Sequence, residues 1–463
     1  MSKIEAASLL NLCPQAVSHY RESGSPDRRP AHQVASTMSS APNSNDEAIA
    51  PWADLLPEVC DQVLDHLDAV SVIRFPAACT AWAAASKLHS TPPRLRSGSP
   101  TLLTSGLDPD GYDVEYNLEA GAFGLHDVAT GKSFYGEAQR LKNRTWVGGK
   151  DDWLVTTDLN CGVELLNPIT GDTVPLPPFT TIRGLELAAD YYELHVAISN
   201  QVHRLQKVTL CQTPAHANGY MAVALFSSGS MALVAFTTAA GGDGNRCWTL
   251  LKNPEGAHYF RYTDVTVHNG KVLAVANSGN IYSWDMDGGT NHAAGPTVMP
   301  GPDVGHVSHD LIMRGFFLVA ASSGGRLRVV CVYGYGAVKD KRMDRRVVFK
   351  DQWCFCPRRA SLHELDAGTW RRVRDLGGDR ALFVGDNYPF YAAVPPGGGG
   401  GSNKDLQADC VYVADVIGCD AAAFDLKLGD EHVYDFDRRL IYPAMADSLQ
   451  MPMWFRPTAY PIA

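Results

Sequence analysis

Excess positive charge is the first property that this sequence lacks. Its 463 residues carry 40 lysines and arginines against 50 aspartates and glutamates, a formal net charge of −10 at pH 7. Because phosphate affinity depends on clustered basic side chains, this balance argues against a general nucleic-acid-binding protein. The densest basic segment, residues 339–346, is interrupted by two aspartates and is more typical of a solvated hairpin tip than of a nuclear address.

A cysteine framework is also missing. The 11 cysteines are odd in number and scattered, without the regular spacing of a disulfide-rich secreted protein. Cys354 and Cys356 form an isolated C-x-C pair, which lacks the second pair that a zinc site would need. We therefore expect free thiols, no metal site, and a reducing compartment, which is the cytoplasm, the nucleus or both.

Long hydrophobic runs and targeting signals are scarce as well. The N-terminal residues contain no long apolar core and carry acidic side chains, so we expect neither a secretory signal nor a transit peptide. Residues 219–242 are uncharged and long enough to span a bilayer, but Ser-Ser-Gly-Ser at 227–230 interrupts them. Two short apolar runs flank this turn, so the pattern predicts a buried β-hairpin and no membrane partner.

Recognisable catalytic motifs are absent from the sequence. Gly-Lys-Ser at 131–133 ends like a phosphate-binding loop, but the position five residues before its glycine is His126, where the motif requires a second glycine. No G-x-S-x-G nucleophile elbow is present. His306 and His309 lie three residues apart in a predicted loop without further metal ligands nearby. We therefore expect no catalytic residue, no metal-binding residue and no cofactor-binding residue.

The N-terminal part of the chain changes character near residue 50. Residues 1–50 are rich in Ser, Ala, Pro and Asn and are predicted to be a disordered segment. A helical pattern follows over 51–90, in which Pro57 suits a first helical turn and Val59 and Val63 share one face. Because a segment of about 40 residues buries little core by itself, this pattern predicts an interaction module.

The rest of the chain has the pattern of a repetitive β protein. Residues 91–104 are predicted to be a linker, and short apolar strands then alternate with Asp, Asn and Gly turns from 105 to 458. The first turns are spaced by about 40 residues, the length of a four-stranded blade. The pattern therefore predicts a mainly β chain, with a β-propeller of about six to eight blades after a small α-helical module. A two-sheet sandwich is the alternative, but it is usually shorter.

Three irregular insertions are predicted within the propeller, at residues 288–305, 339–346 and 395–404. The last of them contains five consecutive glycines and reads as a flexible loop. Propeller loops vary without disturbing the blades. The loops 241–246, 288–305 and 339–346 are therefore the candidate partner-binding loops.

The helical module contains three characteristic segments: Trp-Ala-Asp-Leu-Leu-Pro-Glu-Val at 52–59, Val-Leu-Asp-His-Leu at 63–67 and Ile-Arg-Phe-x-Ala-x-Cys-x-x-Trp at 73–82. With these segments the module resembles a plant F-box. In that family the Leu-Pro segment and the following helices bind a Skp1-type adaptor through a hydrophobic contact. The resemblance implies that the adaptor-binding face and its support consist of Leu55, Leu56, Pro57, Val59, Val63, Leu64, Ile73, Cys79 and Trp82.

The strand-rich part contains a second set of characteristic segments, at 232–236, 247–250, 264–271, 279–282, 376–385, 410–413 and 454–457. With these segments it resembles the plant F-box-associated domain of unknown function 295, also described as a KIB-type β-propeller. Together the two resemblances imply a substrate-recognition subunit of an SCF-type E3 ubiquitin ligase. Its F-box would bind a Skp1-type adaptor and thereby the cullin ligase core, and its propeller loops would bind an unidentified target protein. Such a subunit acts by proximity, so the chain is expected not to be an enzyme.

Two other functional classes stay open at this point. The chain departs from the F-box pattern at Pro76, where a basic residue is usual and a kink is expected, at Ala78 for a usual Val, and at Thr80 for a usual basic residue. These departures motivate a propeller that binds or inhibits a partner, such as a kinase, without engaging a ligase. A propeller enzyme is the third class, and it would need polar residues that converge in the central channel.

Overall fold

The computed structural model describes residues 55–64, 75, 78–88, 99–105, 121–128, 132–158, 162–182, 205–214, 219–228, 231–238, 247–254, 261–286, 295–304, 312–320, 325–335, 356–394, 406–414, 421–427, 433–435 and 453–457. The chain divides into two compact units. One unit contains the described helices, and the other contains the described strands.

The helical unit contains α1 (Pro57–Leu64) and α2 (Thr80–Leu88). Helix α1 begins with a proline, whose fixed φ suits this position, and Glu58 lies in its first turn, where the helix dipole favours negative charge. Both described helices lie within residues 51–90, where the sequence predicted a helical pattern.

The strand unit consists of mostly antiparallel groups of strands, which we number as blades 1 to 6. The strands of blades 1 to 3 are β1 (Thr101–Ser105), β2 (Ala122–Asp127), β3 (Lys132–Glu137), β4 (Arg144–Lys150), β5 (Trp153–Asp158), β6 (Val163–Leu166), β7 (Thr173–Leu176), β8 (Leu205–Leu210), β9 (Met221–Ser228), β10 (Met231–Thr238) and β11 (Thr249–Leu250). Short 3-10 turns occupy Gln139–Leu141 and Phe179–Thr181.

The strands of blades 4 to 6, followed by the last strand of the chain, are β12 (Tyr262–His268), β13 (Lys271–Ala276), β14 (Ile281–Asp285), β15 (Thr297–Met299), β16 (Ile312–Val319), β17 (Arg328–Tyr335), β18 (Cys356–Asp366), β19 (Thr369–Val373), β20 (Arg380–Val384), β21 (Phe390–Ala393), β22 (Cys410–Ala414), β23 (Ala421–Asp425), β24 (Val433–Asp435) and β25 (Met453–Phe455). Blade 4 is β12 to β15, blade 5 is β16 to β19, and blade 6 has the order β21-β20-β22-β23-β24.

Blades 2 and 3 share one eight-stranded sheet because β4 and β8 pair in parallel at its middle. Glycine permits this pairing. A Cβ on Gly148 would lie 2.0 Å from the carbonyl oxygen of Val208, and the residue has a φ of +138°. Only a residue without a side chain allows the two backbones to approach so closely.

The core lies between the blades and closes a ring. Each sheet is buried on both faces, since successive residues of one strand join different clusters: Val272 packs toward blade 3, whereas Leu273 packs toward blade 5. Six clusters of this kind join each blade to the next among the described residues. They contain Phe123 and Leu154 (blades 1 and 2), Val163 and Ala224 (2 and 3), Val223 and Val272 (3 and 4), Val275 and Val329 (4 and 5), Val330 and Val411 (5 and 6), and Phe383 and Trp454 (6 and 1).

Blade 1 closes the ring with strands from both ends of the unit. Its order is β25-β1-β2-β3, so the last strand of the chain pairs antiparallel with the first, with Leu102 opposite Trp454. The fold is therefore a β-propeller, as the sequence predicted, and its described strands form six blades.

Several local predictions have clear outcomes. The uncharged stretch 219–242 contains the predicted hairpin, in which β9 pairs with β10 and Phe226 lies opposite Leu233. None of the described helices is long and apolar enough to cross a membrane. Lys132 and Ser133 belong to β3, and Lys132 pairs with Asp127 of β2.

Two predicted boundaries need correction. The linker was predicted to reach residue 104, but β1 begins at Thr101 because residues 101–105 pair with both β2 and β25. The segment 288–305 was predicted to be an irregular insertion, yet it contains β15, which pairs with β14 as the fourth strand of blade 4. Strand β15 has only three residues, which is too short to show the alternation of apolar and polar side chains that marks a strand. The segment 288–305 was therefore predicted to be an irregular insertion.

Candidate functional site

The helical unit presents one large apolar side chain to solvent. Leu56, immediately before α1, is 66% exposed, and its carbonyl oxygen accepts hydrogen bonds from the backbone N–H groups of Val59 at 2.9 Å and Cys60 at 3.1 Å. The first turn of α1 therefore holds Leu56 in place at the surface. Only one other large apolar side chain among the described residues, Val298, is exposed to a similar extent, at 54%.

The other predicted adaptor-binding residues differ in their exposure to solvent. Pro57 is exposed, Leu55, Val59 and Cys79 are half-buried, and the buried members are Val63, Leu64 and Trp82. Ile73 lies outside the described residues. The structure therefore places the Leu-Leu-Pro start toward solvent, while the later residues form the small core beneath it.

Aromatic stacking and a thiol organise the second helix. The rings of Phe75 and Trp82 are stacked with centroids 4.5 Å apart and an interplanar angle of 17°. Cys79 precedes α2, and its Sγ accepts a hydrogen bond from the Trp82 backbone N–H at 3.4 Å, as an N-cap side chain does. Burial raises the pKa of the neighbouring Cys60 thiol, and Cys79 adds to the rise.

The centre of the propeller contains a buried ion pair. Lys207 on β8 and Asp264 on β12 are 4% and 2% exposed, with Nζ and Oδ1 2.7 Å apart. Lys207 Nζ also donates to the carbonyl oxygen of Gly385 at 3.0 Å, and the other carboxylate oxygen accepts from the Leu318 backbone N–H at 2.7 Å. Burial raises the pKa of the Asp264 carboxyl, and Lys207 opposes the rise.

One loop of blade 6 extends these contacts to the whole ring. Residues 385–388 follow β20. In this loop the Tyr388 backbone N–H donates to the carbonyl oxygen of Gly149 in blade 2, and the Tyr388 hydroxyl donates to that of Ala320 in blade 5 at 3.3 Å. Asn387 Nδ2 donates to the carbonyl oxygen of Trp454 in blade 1. We call Lys207, Asp264 and this loop the hub, because their contacts reach all six blades.

A half-buried cationic cluster lies beside the hub. The ammonium of Lys150, at the end of β4, sits 3.2 Å from the ring centroid of Tyr388. Burial lowers the pKa of Lys150 to about 8, with Arg456 contributing and Asp151 and Cys211 opposing. Arg456 pairs with Asp151 and stacks over Phe390. Burial also raises the pKa of Tyr388 to about 12 and raises that of the Cys211 thiol.

Motif reasoning missed the hub residues, although a signal was present. Lys207 interrupts the apolar strand Leu-Gln-Lys-Val-Thr-Leu, and Asp264 interrupts Tyr-Thr-Asp-Val-Thr-Val. A charge inside a strand that is buried on both faces needs a partner of opposite sign. This rule marks both residues as paired, but it does not say with which partner, because they are 57 positions apart.

A serine–histidine contact in blade 1 does not form a catalytic site. His126 contacts Ser133 at 2.7 Å and Thr104 at 2.9 Å, so the ring joins two hydroxyl groups. Burial lowers the pKa of His126 to about 4, and the third member is a neutral threonine where a catalytic triad has a carboxylate. The arrangement is a row of hydrogen bonds across β1, β2 and β3.

The remaining candidates from the sequence are the possible metal ligands and the predicted binding loops. Within the described ranges, no group of three or more metal-ligating side chains comes together. Cys356 begins β18, and Cys354 lies outside the described residues. His306 and His309 also lie outside the described residues. So do the predicted loops 241–246 and 339–346 and the glycine-rich segment 395–404.

Comparison with solved structures finds distant similarity. The chain is similar to the computationally designed Ika8 protein (11% identity, 68% of this chain and 91% of that chain, TM-score 0.26). It is also similar to Hsv2p of Kluyveromyces lactis (10% identity, 69% of each chain, TM-score 0.26) and to YCF48 bound to D1 peptide (8% identity, 73% of this chain and 91% of that chain, TM-score 0.25). No curated protein matches the chain.

The decisive comparison is with protein families. The family model described as KIB1-4 beta-propeller matches residues 123–435, which is well over half of the chain and runs from β2 in blade 1 to β24 in blade 6. The match agrees with the ring of six blades observed in the structure. This protein belongs to the KIB1-4 β-propeller family.

Proposed function

We propose that the chain is the substrate-recognition subunit of an SCF-type E3 ubiquitin ligase. In this function, the helical unit binds a Skp1-type adaptor and thereby the cullin core, and the propeller binds the target protein. The chain supplies no catalytic residue, because ubiquitin transfer is promoted by holding the target near the conjugating enzyme.

The observation that carries the proposal is the exposure of Leu56. A leucine fixed at the first turn of an amphipathic helix and 66% exposed is available to enter a hydrophobic groove of a partner. Directly behind it, Val63, Leu64 and Trp82 are buried and support the helix pair. A unit this small gains stability from such a partner.

The test is co-purification of the full chain with a plant Skp1-type adaptor. Leu56→Asp places a charge where the groove would close on an apolar side chain, and we expect it to abolish the complex. Val298→Asp is the matched control, since Val298 is an exposed aliphatic side chain in blade 4, and it should leave the complex intact. Binding by neither wild type nor control, with both chains folded, would remove the ligase function.

A ligase-independent binding or inhibitory propeller is the second candidate. Ala78 and Thr80 are exposed in the structure, at positions where F-box proteins usually carry a larger apolar and a basic side chain. Smaller, neutral side chains offer an adaptor fewer contacts. A folded chain that captures a target protein but no adaptor in the same experiment would favour this function.

A further inference from the structure

The last residue of β4 carries a positive charge that has no counter-ion among the residues the structure describes. Lys150 is half-buried, and its ammonium contacts the face of the Tyr388 ring. Within the described part of the chain, no carboxylate lies in ion-pair distance of this ammonium and no hydrogen bond reaches it. The buried lysine of the hub differs in this respect, because Lys207 Nζ forms an ion pair with Asp264 Oδ1 at 2.7 Å. A half-buried ammonium without a partner is unexpected in a chain with a net charge of −10.

The neighbouring charges leave a surplus of one positive unit. Arg456 and Asp151 neutralise one another as an ion pair, and their side chains are 31% and 22% exposed. Asp152, the other carboxylate of the turn, is fully buried and accepts a hydrogen bond from Asn167 at 2.9 Å. Cys211 and Tyr388 are uncharged near neutral pH, because burial raises the pKa of both groups. Lys150 therefore supplies the uncompensated charge.

Hydrogen-bond donors without acceptors accompany this charge. Trp153 pairs with Lys150 across the β4–β5 hairpin, so the two side chains share one side of the sheet. In the described part of the propeller, the buried indole Nε1–H of Trp153 and the buried Nε–H of Arg456 have no hydrogen-bond partner. The hub loop adds one unpaired acceptor, Asn387 Oδ1, so donors still exceed acceptors. Buried donors of this kind normally find a partner.

We propose that Lys150, together with Arg456 and Trp153, forms a site for one carboxylate: the aspartate or glutamate side chain of a bound target polypeptide. The occupant is singly charged, because the surplus at the site is one unit, whereas a phosphate would bring more negative charge than the cluster can neutralise. This inference rests on the propeller being the target-binding part of the proposed function.

The test compares peptide pools on the full chain. Fluorescein-labelled dodecapeptides are randomised except at the centre, which is Glu, Gln or phosphoserine, and their binding is measured by fluorescence polarisation. We expect the Glu pool to bind about tenfold more tightly than the Gln pool, as a charge-assisted hydrogen bond allows. Lys150→Met keeps an unbranched side chain over Tyr388 but removes the charge, and it should abolish this preference. Lys142→Met, at an exposed lysine, should retain it.

The pH dependence provides a second readout. Between pH 6.5 and pH 9 the ammonium of Lys150 loses its charge, because its pKa is about 8. Burial raises the pKa of both Cys211 and Tyr388, so these two groups titrate at higher pH. The preference for Glu should therefore weaken as the pH rises over this range in wild type. Equal binding of the Glu and Gln pools, or a Glu preference that survives in Lys150→Met, would overturn the proposal. Tighter binding of the phosphoserine pool would overturn the assignment to a carboxylate.

The variants also separate this inference from the proposed function. Leu56→Asp should lose the adaptor yet keep the preference for the Glu pool. If wild type binds no adaptor but shows the Lys150-dependent preference, the ligase function fails and the carboxylate site stands. The converse result, a stable adaptor complex without any preference among the pools, removes the site alone.

Discussion

Lys207 and Lys271 make ion pairs of the same chemistry in different surroundings. Lys207 and Asp264 are both buried, whereas Lys271 and Asp285 are 47% and 60% exposed and 3.4 Å apart. Lys207→Met leaves a buried carboxylate without its counter-ion, so we expect a loss of about 4 kcal/mol in the free energy of unfolding. Lys271→Met should cost less than about 1 kcal/mol. Urea unfolding followed by tryptophan fluorescence measures both values, and equal losses would contradict the buried pair's role in joining the blades.

His126 makes stability depend on acid pH. In the unfolded chain its imidazole titrates near 6.5, but burial lowers the pKa to about 4 in the folded protein. The unfolded state therefore binds the proton more readily, so the contribution of His126 is complete above about pH 6.5 and is lost as the pH falls toward 4. His363 behaves in the same way, because burial lowers its pKa to about 4.

The variant His126→Gln isolates this effect. Removing the titrating group should reduce the loss of unfolding free energy between pH 7.5 and pH 5 by about 2 kcal/mol. The measurement is urea unfolding of wild type and variant at both pH values. A variant with an undiminished pH dependence would show that His126 is not protonated differently in the two states.

At the scale of elements, β25 is predicted to hold the ring closed. Its residues Met453, Trp454 and Phe455 are at most 1% exposed, and they enter the clusters on both sides of blade 1. Deleting residues 453–463 removes the pairing with β1 and exposes both clusters. We therefore expect the cooperative thermal transition to disappear.

A shorter deletion is the control for this prediction. Removal of residues 458–463 keeps β25 and the described contacts of Arg456, so its melting temperature should stay within a few degrees of wild type. Trp454→Ala tests the packing alone and should cost about 4 kcal/mol. An intact transition in the longer deletion would mean that blade 1 closes without β25.

The elements differ in how far the sequence could predict them. The pairing of β9 with β10 was predicted from two short apolar runs that flank a Ser-Ser-Gly-Ser sequence, because these features are local. The pairing of β25 with β1 joins residues more than 350 positions apart, and no local pattern encodes it. The cationic cluster was missed for the same reason, since Lys150, Tyr388 and Arg456 come from blades 2, 6 and 1. The F-box interpretation rests on a motif, and the structure adds only the exposure of Leu56.

At the scale of the whole molecule, the chain combines two compact units that bury their apolar side chains to different extents. The helical unit is small and presents an apolar side chain, whereas the propeller closes its own core through six interfaces. A closed ring leaves its loops free to vary and needs no partner for stability. This division matches the proposed function, in which the helical unit would bind the adaptor and the propeller the target protein.

This construction predicts that the two binding activities are independent. The double variant Leu56→Asp/Lys150→Met should lose as much adaptor affinity as Leu56→Asp alone. It should also lose as much of the preference for the Glu pool as Lys150→Met alone, because the two residues belong to separate units. Adaptor affinity by calorimetry and peptide affinity by fluorescence polarisation measure the two losses on the same preparations. A coupling of more than about tenfold would show that adaptor binding changes the carboxylate site, and the units would then have to be treated as one cooperative system.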